Sequence, residues 1–148
     1  GYKAVHVPFK GGAEALTEVM AGRVDYYFCP IATALPFIRD GKLLALAVSS
    51  PVRAAALPDV PTTLEAGFAN SDYNYWTGML APAKTPRPII DRLHAEVTKV
   101  LALPDVADKL AKQGVEPAPL SPTEMDAMNK REIELNLKIA KEAGLKFN

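Results

Sequence analysis

Two adjacent glycines, Gly11 and Gly12, follow a short apolar and aromatic run that ends at Phe9. The run is typical of a β-strand, and the alanine-rich stretch that begins at Ala13 is typical of an α-helix. A helix that begins at a glycine turn presents its first backbone N–H groups, at the positive end of the helix dipole, to any ligand above it. The expected ligand is an anion, and we predict one wall of a carboxylate-binding cleft. The simpler interpretation is a tight turn that needs glycine for a positive φ angle.

The residues that could support catalysis are one cysteine, Cys29, and two histidines, His6 and His94. A cysteine nucleophile needs a base within hydrogen-bond reach and a third group that orients the base, and neither histidine has such a spacing. A free cysteine is most often a small buried apolar residue. The histidines lie 88 positions apart, which does not match the ligand spacing of a metal site. We therefore expect no catalytic residue, no metal and no cofactor, and interpret Cys29 and Thr33 as cleft-lining residues.

The charge composition is balanced, with 17 Lys and Arg residues against 17 Asp and Glu residues in 148. No basic run concentrates positive charge, so we expect no nucleic-acid partner. The longest apolar run, 43–48, is too short to cross a bilayer. The first residues lack the pattern of a signal peptide, and a single cysteine leaves the redox compartment open.

The elements that would position these residues alternate between strand and helix along the first third of the chain. Strands are predicted at 4–9, 24–29 and 43–49, and helices at 13–21 and 33–39. Nearly continuous apolar character in the strands is typical of a parallel sheet covered on both faces. This order predicts an α/β fold with right-handed crossovers, and ligands of such sheets lie at the carboxyl ends of the strands.

The remainder of the chain is predicted to be irregular and then helical. A proline-containing stretch at 51–72 includes one short predicted helix at 62–66, and an extended strand is predicted at 73–82. Three helices are predicted to follow, one after Thr85, one over 104–112 and one after Ser121. The last of these helices has the strongest start signal. Ser121 and Glu124 form the pattern of a capping box, and Pro122 occupies the first helical position.

Six motifs occur in a fixed order along the chain. They are V-P-F-K-G-G-A-x-A-L at 7–16, G-R-V-D at 22–25, A-L-P-F-I-R-D-G-K-L-L-A-L-A-V at 34–48, L-P-D-V-P-T-T-L-E-A-G at 57–67, W-T-G-M-L-A-P-A-K-T-P at 76–86 and S-P-T-E at 121–124. Together they resemble the substrate-binding proteins of tripartite tricarboxylate transporters, the Bug family of periplasmic solute receptors. The resemblance covers essentially the whole chain.

The resemblance implies part of a type II periplasmic-binding-protein-like fold. Family members are about twice this length and hold a ligand between two α/β lobes, and this sequence looks like the C-terminal half. We assign 1–72 to the second lobe, 73–82 to a hinge strand, and 83–148 to the helical segment that packs on the first lobe. Because the first lobe is largely missing, we predict that this chain alone cannot form a complete closing cleft.

The function implied by the resemblance is reversible binding of a small carboxylate in the periplasm and its delivery to membrane transporter subunits, without chemistry. The candidate ligand-binding residues are Phe9, Gly11, Gly12, Ala13, Cys29 and Thr33. The family commonly has tyrosine at Phe9 and often a polar or acidic residue at Cys29, so the identity of the carboxylate stays open. One alternative is a half-receptor that forms a homodimer or pairs with a separate first half and binds no ligand tightly. A cysteine-dependent enzyme is the least favoured alternative.

Overall fold

The computed structural model describes residues 4–144. It contains five α-helices in this range: α1 (Gly12–Met20), α2 (Ile31–Arg39), α3 (Arg87–Leu101), α4 (Pro104–Lys112) and α5 (Pro122–Glu142). All five were predicted to within about two residues, since capping and breaking residues mark helix ends locally. The short helix predicted at 62–66 is wrong, because this segment forms a hydrogen-bonded turn instead.

The capping box at the start of α5 is confirmed in both directions. The Glu124 backbone N–H donates to Ser121 Oγ at 3.2 Å, and the Ser121 N–H donates to Glu124 Oε2 at 2.8 Å. These hydrogen bonds to Ser121 hold the pKa of the Glu124 carboxyl below its ordinary value. The two reciprocal bonds satisfy donors that a helix start otherwise leaves without a partner.

The described chain divides into two compact units, and the first contains α1 and α2. It holds the described residues 4–78 together with Asp108–Glu116. Helices α1 and α2 contact each other, and their most buried side chains are Leu16 and Leu35, which are 2% and 1% exposed. Apolar side chains at helical spacing therefore build the core of this unit.

Segment Asp108–Glu116 joins this unit through Gly114. Its φ of +73° is a backbone conformation that side chains with a Cβ rarely adopt. A Cβ built there would lie 2.8 Å from Ile31 Cγ2 and 3.3 Å from Leu35 Cδ2, both on α2. Arg39 at the end of α2 also donates to the Lys112 carbonyl at 3.1 Å. The close backbone approach to α2 therefore requires glycine.

The second unit holds Met79–Ala107 and the described residues from Pro117 onward. Helices α3 and α5 contact each other within it, but Ala140 is its only buried apolar residue in the described chain. Larger side chains such as Ile89, Ile133 and Leu137 are more than half exposed. Its helices therefore present apolar surface to solvent.

The predicted parallel sheet is not confirmed in this structure. Within residues 4–144 the β-pairing is a single parallel bridge between Val48 and Thr62. It is held by bonds from the Val48 N–H to the Pro61 carbonyl and from the Thr63 N–H to the Val48 carbonyl, both 2.9 Å. Residues 4–9 and 24–29, which were predicted to be strands, form neither a helix nor a regular β-strand. A β-strand needs a partner from elsewhere in the chain, whereas a helix bonds within itself.

Candidate binding site at the start of α1

The start of α1 has open hydrogen-bond donors. Its N-cap residue, Gly11, is extended (φ −169°, ψ 165°) and provides no side-chain acceptor. The backbone N–H groups of Gly12, Ala13 and Glu14 have no acceptor among residues 4–144. They coincide with the positive end of the helix dipole. The arrangement can bind an anion.

A positive φ angle does not explain the two glycines. Gly11 is in ordinary extended backbone and Gly12 is helical, so that part of the simpler interpretation is wrong. A Cβ on Gly11 would meet nothing within 4 Å, whereas one on Gly12 would lie 3.1 Å from the hydroxyl oxygen of Tyr27. Gly12 therefore lies in close approach to the hydroxyl of the partly exposed Tyr27, and Gly11 is not constrained by any contact within the described chain.

A groove of about 790 Å³ lies beside this helix start. Its lining residues come from two segments, 4–12 and 23–28, with one further residue, Ala15, on α1. Three of the predicted site residues, Phe9, Gly11 and Gly12, line the groove together. Ala13, Cys29 and Thr33 are not among the lining residues, and ligand binding by any of the six stays a prediction.

The arginine that lines the groove is already paired. Arg23 forms an ion pair with Glu18, and Arg23 Nη2 donates to Glu18 Oε1 at 2.6 Å. The hydrogen bond from Arg23 holds the pKa of the Glu18 carboxyl below its usual range. His6 and Asp25 also line the groove. The open backbone donors of α1 are therefore the clearest anion-binding groups at this place.

Cys29 and Thr33 flank the start of the next helix, α2. Cys29 is half-buried and precedes Pro30, whose carbonyl accepts from the Thr33 N–H at 3.0 Å. Burial raises the pKa of the Cys29 thiol, which lowers the thiolate fraction at neutral pH. Activated cysteine nucleophiles have the opposite shift. Cys29 therefore has the properties of a small packing residue.

Two further findings concern metals and membranes. No group of three or more His, Cys, Asp and Glu side chains within the described range is placed to hold a metal ion. No helix in the same range is long and apolar enough to span a bilayer.

Tyr27 is the residue near this site that sequence reasoning missed. It belongs to the run Tyr26-Tyr27-Phe28, in which side chains alternate between two faces. Tyr26 and Phe28 share one face, with ring centroids 6.1 Å apart in an edge-to-face contact. The alternation could have placed Tyr27 on the opposite face, but only the structure shows that this face meets Gly12.

The sequence of this chain matches one family model and several known proteins. A family model described as "Tripartite tricarboxylate transporter family receptor" matches residues 1–145. The UPF0065 protein in the tcbD-tcbE intergenic region of Pseudomonas sp. (strain P51) is 35% identical over 145 residues, which is 97% of this chain and 43% of that protein. Protein BugT of Bordetella pertussis is 29% identical to this chain, and the match covers 95% of this chain and 43% of BugT.

Two solved structures superpose closely on this chain. A structure of R. palustris Rpa4515 with adipate superposes with a TM-score of 0.85 at 33% identity, over 93% of this chain and 46% of that one. The periplasmic binding protein BugD superposes with a TM-score of 0.83 at 30% identity, over 98% of this chain and 49% of BugD. The chain thus spans about half the length of these relatives and has part of a periplasmic-binding-protein fold. On this evidence of sequence and structure, the chain belongs to the tripartite tricarboxylate transporter receptor family.

Proposed function

We propose that this chain is part of a periplasmic receptor that binds a small carboxylate at the start of α1 and delivers it to membrane transporter subunits. The observation that carries the proposal is the set of open N–H groups on Gly12, Ala13 and Glu14. An anion at a helix N-terminus is stabilised by about 0.3–1 kcal/mol, and by up to about 2 kcal/mol where water is partly excluded. The receptor binds the solute and releases it unchanged.

The family and one solved relative support a carboxylate as the ligand. Rpa4515, which superposes on 93% of this chain, was solved with adipate, a dicarboxylate. Because this chain matches 46% of that structure, the second wall of the cleft is supplied by the part of a receptor that these residues do not match. Binding energy that depends on both walls makes this chain by itself a weak binder.

A hybrid receptor tests the proposal. In it, this chain replaces the matching part of Rpa4515, and adipate binding is measured by isothermal titration calorimetry beside the neutral diamide of adipate. We expect the diacid to bind and the diamide to bind far more weakly, because only the carboxylate is held by the helix dipole. Equal binding of the two compounds, or no binding of adipate and other dicarboxylates, would refute the proposal.

A substitution at Gly11 locates the ligand. Gly11→Val adds a side chain in open space on extended backbone, so it leaves the fold unchanged. We expect it to weaken adipate binding by about tenfold, because the added side chain obstructs the approach of a carboxylate to the open N–H groups of Gly12 and Ala13. Ala21→Val, at the exposed opposite end of α1, is the matched control and leaves the affinity unchanged. An unchanged affinity in Gly11→Val would place the ligand elsewhere.

The second candidate is a half-receptor that associates with itself or with a separate first half and binds no ligand tightly. The observation that favours it is the exposure of large apolar side chains, such as Leu44 at 83% and Leu80 at 75%. Exposed apolar side chains mark interaction surfaces in soluble proteins where they are contiguous. Sedimentation velocity over a range of concentrations separates the candidates, since a monomer at every concentration removes self-association.

A further inference from the structure

The C-terminal half of α5 has the residue pattern of a β-strand. Apolar and polar residues alternate strictly over segment 133–139, whose sequence is I-E-L-N-L-K-I. A strand places alternate side chains on one face, whereas a core-facing helix needs apolar residues three and four positions apart. The segment also has no proline, no glycine and no net charge, which is typical of segments that pair between identical chains. Because the structure places it in a helix, its pattern and its conformation disagree.

The helical conformation leaves the apolar side chains of segment 133–139 on nearly opposite sides of α5. At about 100° per residue, Ile133 and Leu137 lie together on one side of the helix axis. Leu135 and Ile139 lie about 160° away around the axis. All four side chains are between 46% and 59% exposed. One neighbouring surface can cover one pair but not both, whereas a strand would place all four on a single face.

Few contacts hold segment 133–139 in α5. The one buried apolar residue of α5 in the described chain is Ala140. Glu134 and Lys138 are one helical turn apart, but among the described residues they form no ion pair with each other. The capping box at Ser121 stabilises the opposite end of the helix. Helical segments with few buried contacts open locally at a low cost in free energy.

Segment 133–139 is complementary to itself in the antiparallel direction. Around Asn136 the sequence reads the same both ways, except that Glu134 stands at the position symmetric to Lys138. When two copies pair antiparallel about Asn136, Glu134 of each copy faces Lys138 of the other, and apolar residues face apolar residues. A shift by one residue puts Leu135 and Leu137 opposite polar residues. Charge and apolar pattern therefore select one register.

We propose that segment 133–139 leaves α5 and pairs with the same segment of a second copy of this chain, as antiparallel β-strands centred on Asn136. A ribbon of two strands is only marginally stable, and its outer edges are open. Further copies add in the same register, since each strand is complementary along both edges, and the apolar faces of two sheets then pack together. The assembly does not depend on ligand binding at the start of α1, which lies in the other unit.

Incubation of the whole chain over a range of concentrations tests the proposal. Circular dichroism follows the helix content, and the infrared amide I band follows intermolecular antiparallel sheet. Above a threshold concentration, we expect helix to be lost and sheet to be gained together. Hydrogen–deuterium exchange with mass spectrometry locates the sheet, because the amides of 133–139 become the slowest to exchange in the assembly.

Two charge substitutions test the register. Glu134→Lys and Lys138→Glu change exposed residues, so the single chain folds as before. Each puts like charges opposite each other at both symmetric positions, so the threshold concentration is expected to rise about tenfold. Both changes combined in one chain, or an equimolar mixture of the two single variants, restore opposite charges and the original threshold.

A loss of helix stability cannot mimic this result. Like charges four residues apart weaken a helix slightly, which would make the segment open more easily and would lower the threshold. Lys130→Glu is the matched control, since Lys130 is an exposed lysine of α5 outside segment 133–139 and its replacement changes the charge equally. The control leaves the threshold unchanged.

Each other outcome overturns the proposal. Absence of intermolecular sheet at every concentration removes strand pairing, and assembly with full helix content identifies packing between helices. A threshold that the single variants leave unchanged or lower shows that Glu134 and Lys138 do not face each other. An equal rise in Lys130→Glu shows that overall net charge governs association.

Discussion

Gly114→Ala is expected to be the most destabilising single-methyl change in the first unit. Gly114 has a φ of +73°, and a Cβ there would lie 2.8 Å from Ile31 Cγ2 and 3.3 Å from Leu35 Cδ2. Leu35 is 1% exposed, so its side chain cannot move out of the way into solvent. The substitution therefore imposes both backbone strain and overpacking on the contact between α2 and Asp108–Glu116.

The magnitude follows from these two terms. A left-handed residue with a Cβ costs about 1–2 kcal/mol, and one extra methyl group in a packed core costs about 1–3 kcal/mol. The free energy of unfolding is expected to fall by about 2–5 kcal/mol in total. With a urea m-value of about 2 kcal/mol/M, the unfolding midpoint falls by about 1–2.5 M.

Gly41→Ala is the control that separates strain from overpacking. Gly41 has a nearly equal φ of +68°, but a Cβ there meets nothing within 4 Å. Its expected cost is the backbone term alone, about 1–2 kcal/mol. Urea unfolding is followed by the fluorescence of Trp76, the single tryptophan, which lies in the same unit as both glycines. Equal losses in the two variants would show that Gly114 does not contact α2 as described.

Two further predictions concern the capping box at Ser121 and the hydrogen bonds of Glu65. Ser121→Ala should destabilise α5 by about 1 kcal/mol, the usual cost of a lost N-cap, and a thermal unfolding midpoint equal to that of the wild type would contradict the capping geometry. Glu65 accepts from Arg53 Nε at 2.9 Å and from the Thr62 N–H at 2.7 Å, and these bonds, the one to Arg53 most, lower the pKa of its carboxyl. The stabilisation is therefore complete above the unfolded-state pKa of about 4.3 and is lost as pH falls through the lower folded-state pKa. Glu65→Gln should accordingly reduce stability at pH 7, by an amount that shrinks as pH falls below about 4.3, and a pH-independent effect in urea titrations would count against the ion pair.

The helices show how much local sequence can predict. The Ser121 capping box, the prolines at helix starts and the glycines at helix ends predicted α1 to α5 closely, because each of these signals acts within a few residues. The helix predicted at 62–66 was wrong, although the local signal for a helix start is present there. Thr62 and Glu65 form the reciprocal bonds of a helix start, but the chain makes only a turn there.

The candidate site was predictable only in part. Glycines before an amphipathic stretch indicated the helix start, and the structure shows open donors at Gly12 and Ala13. The contact of Tyr27 with Gly12 could not be read from the sequence, since it joins two segments separated by a helix. The separation of Cys29 from the groove was likewise not visible, because neighbouring strand ends need not line one cavity.

The sequence by itself determined the family, the five helices and the glycine turn at the start of α1. Only the tertiary structure decided that Gly114 must be glycine, that Tyr27 covers Gly12, and that segments 4–9 and 24–28 face an open groove. The physical reason is how far along the chain the backbone hydrogen bonds of each element reach. A helix satisfies its backbone four residues away and is fixed by local sequence, whereas a strand is satisfied only by a partner that may lie far along the chain or outside it.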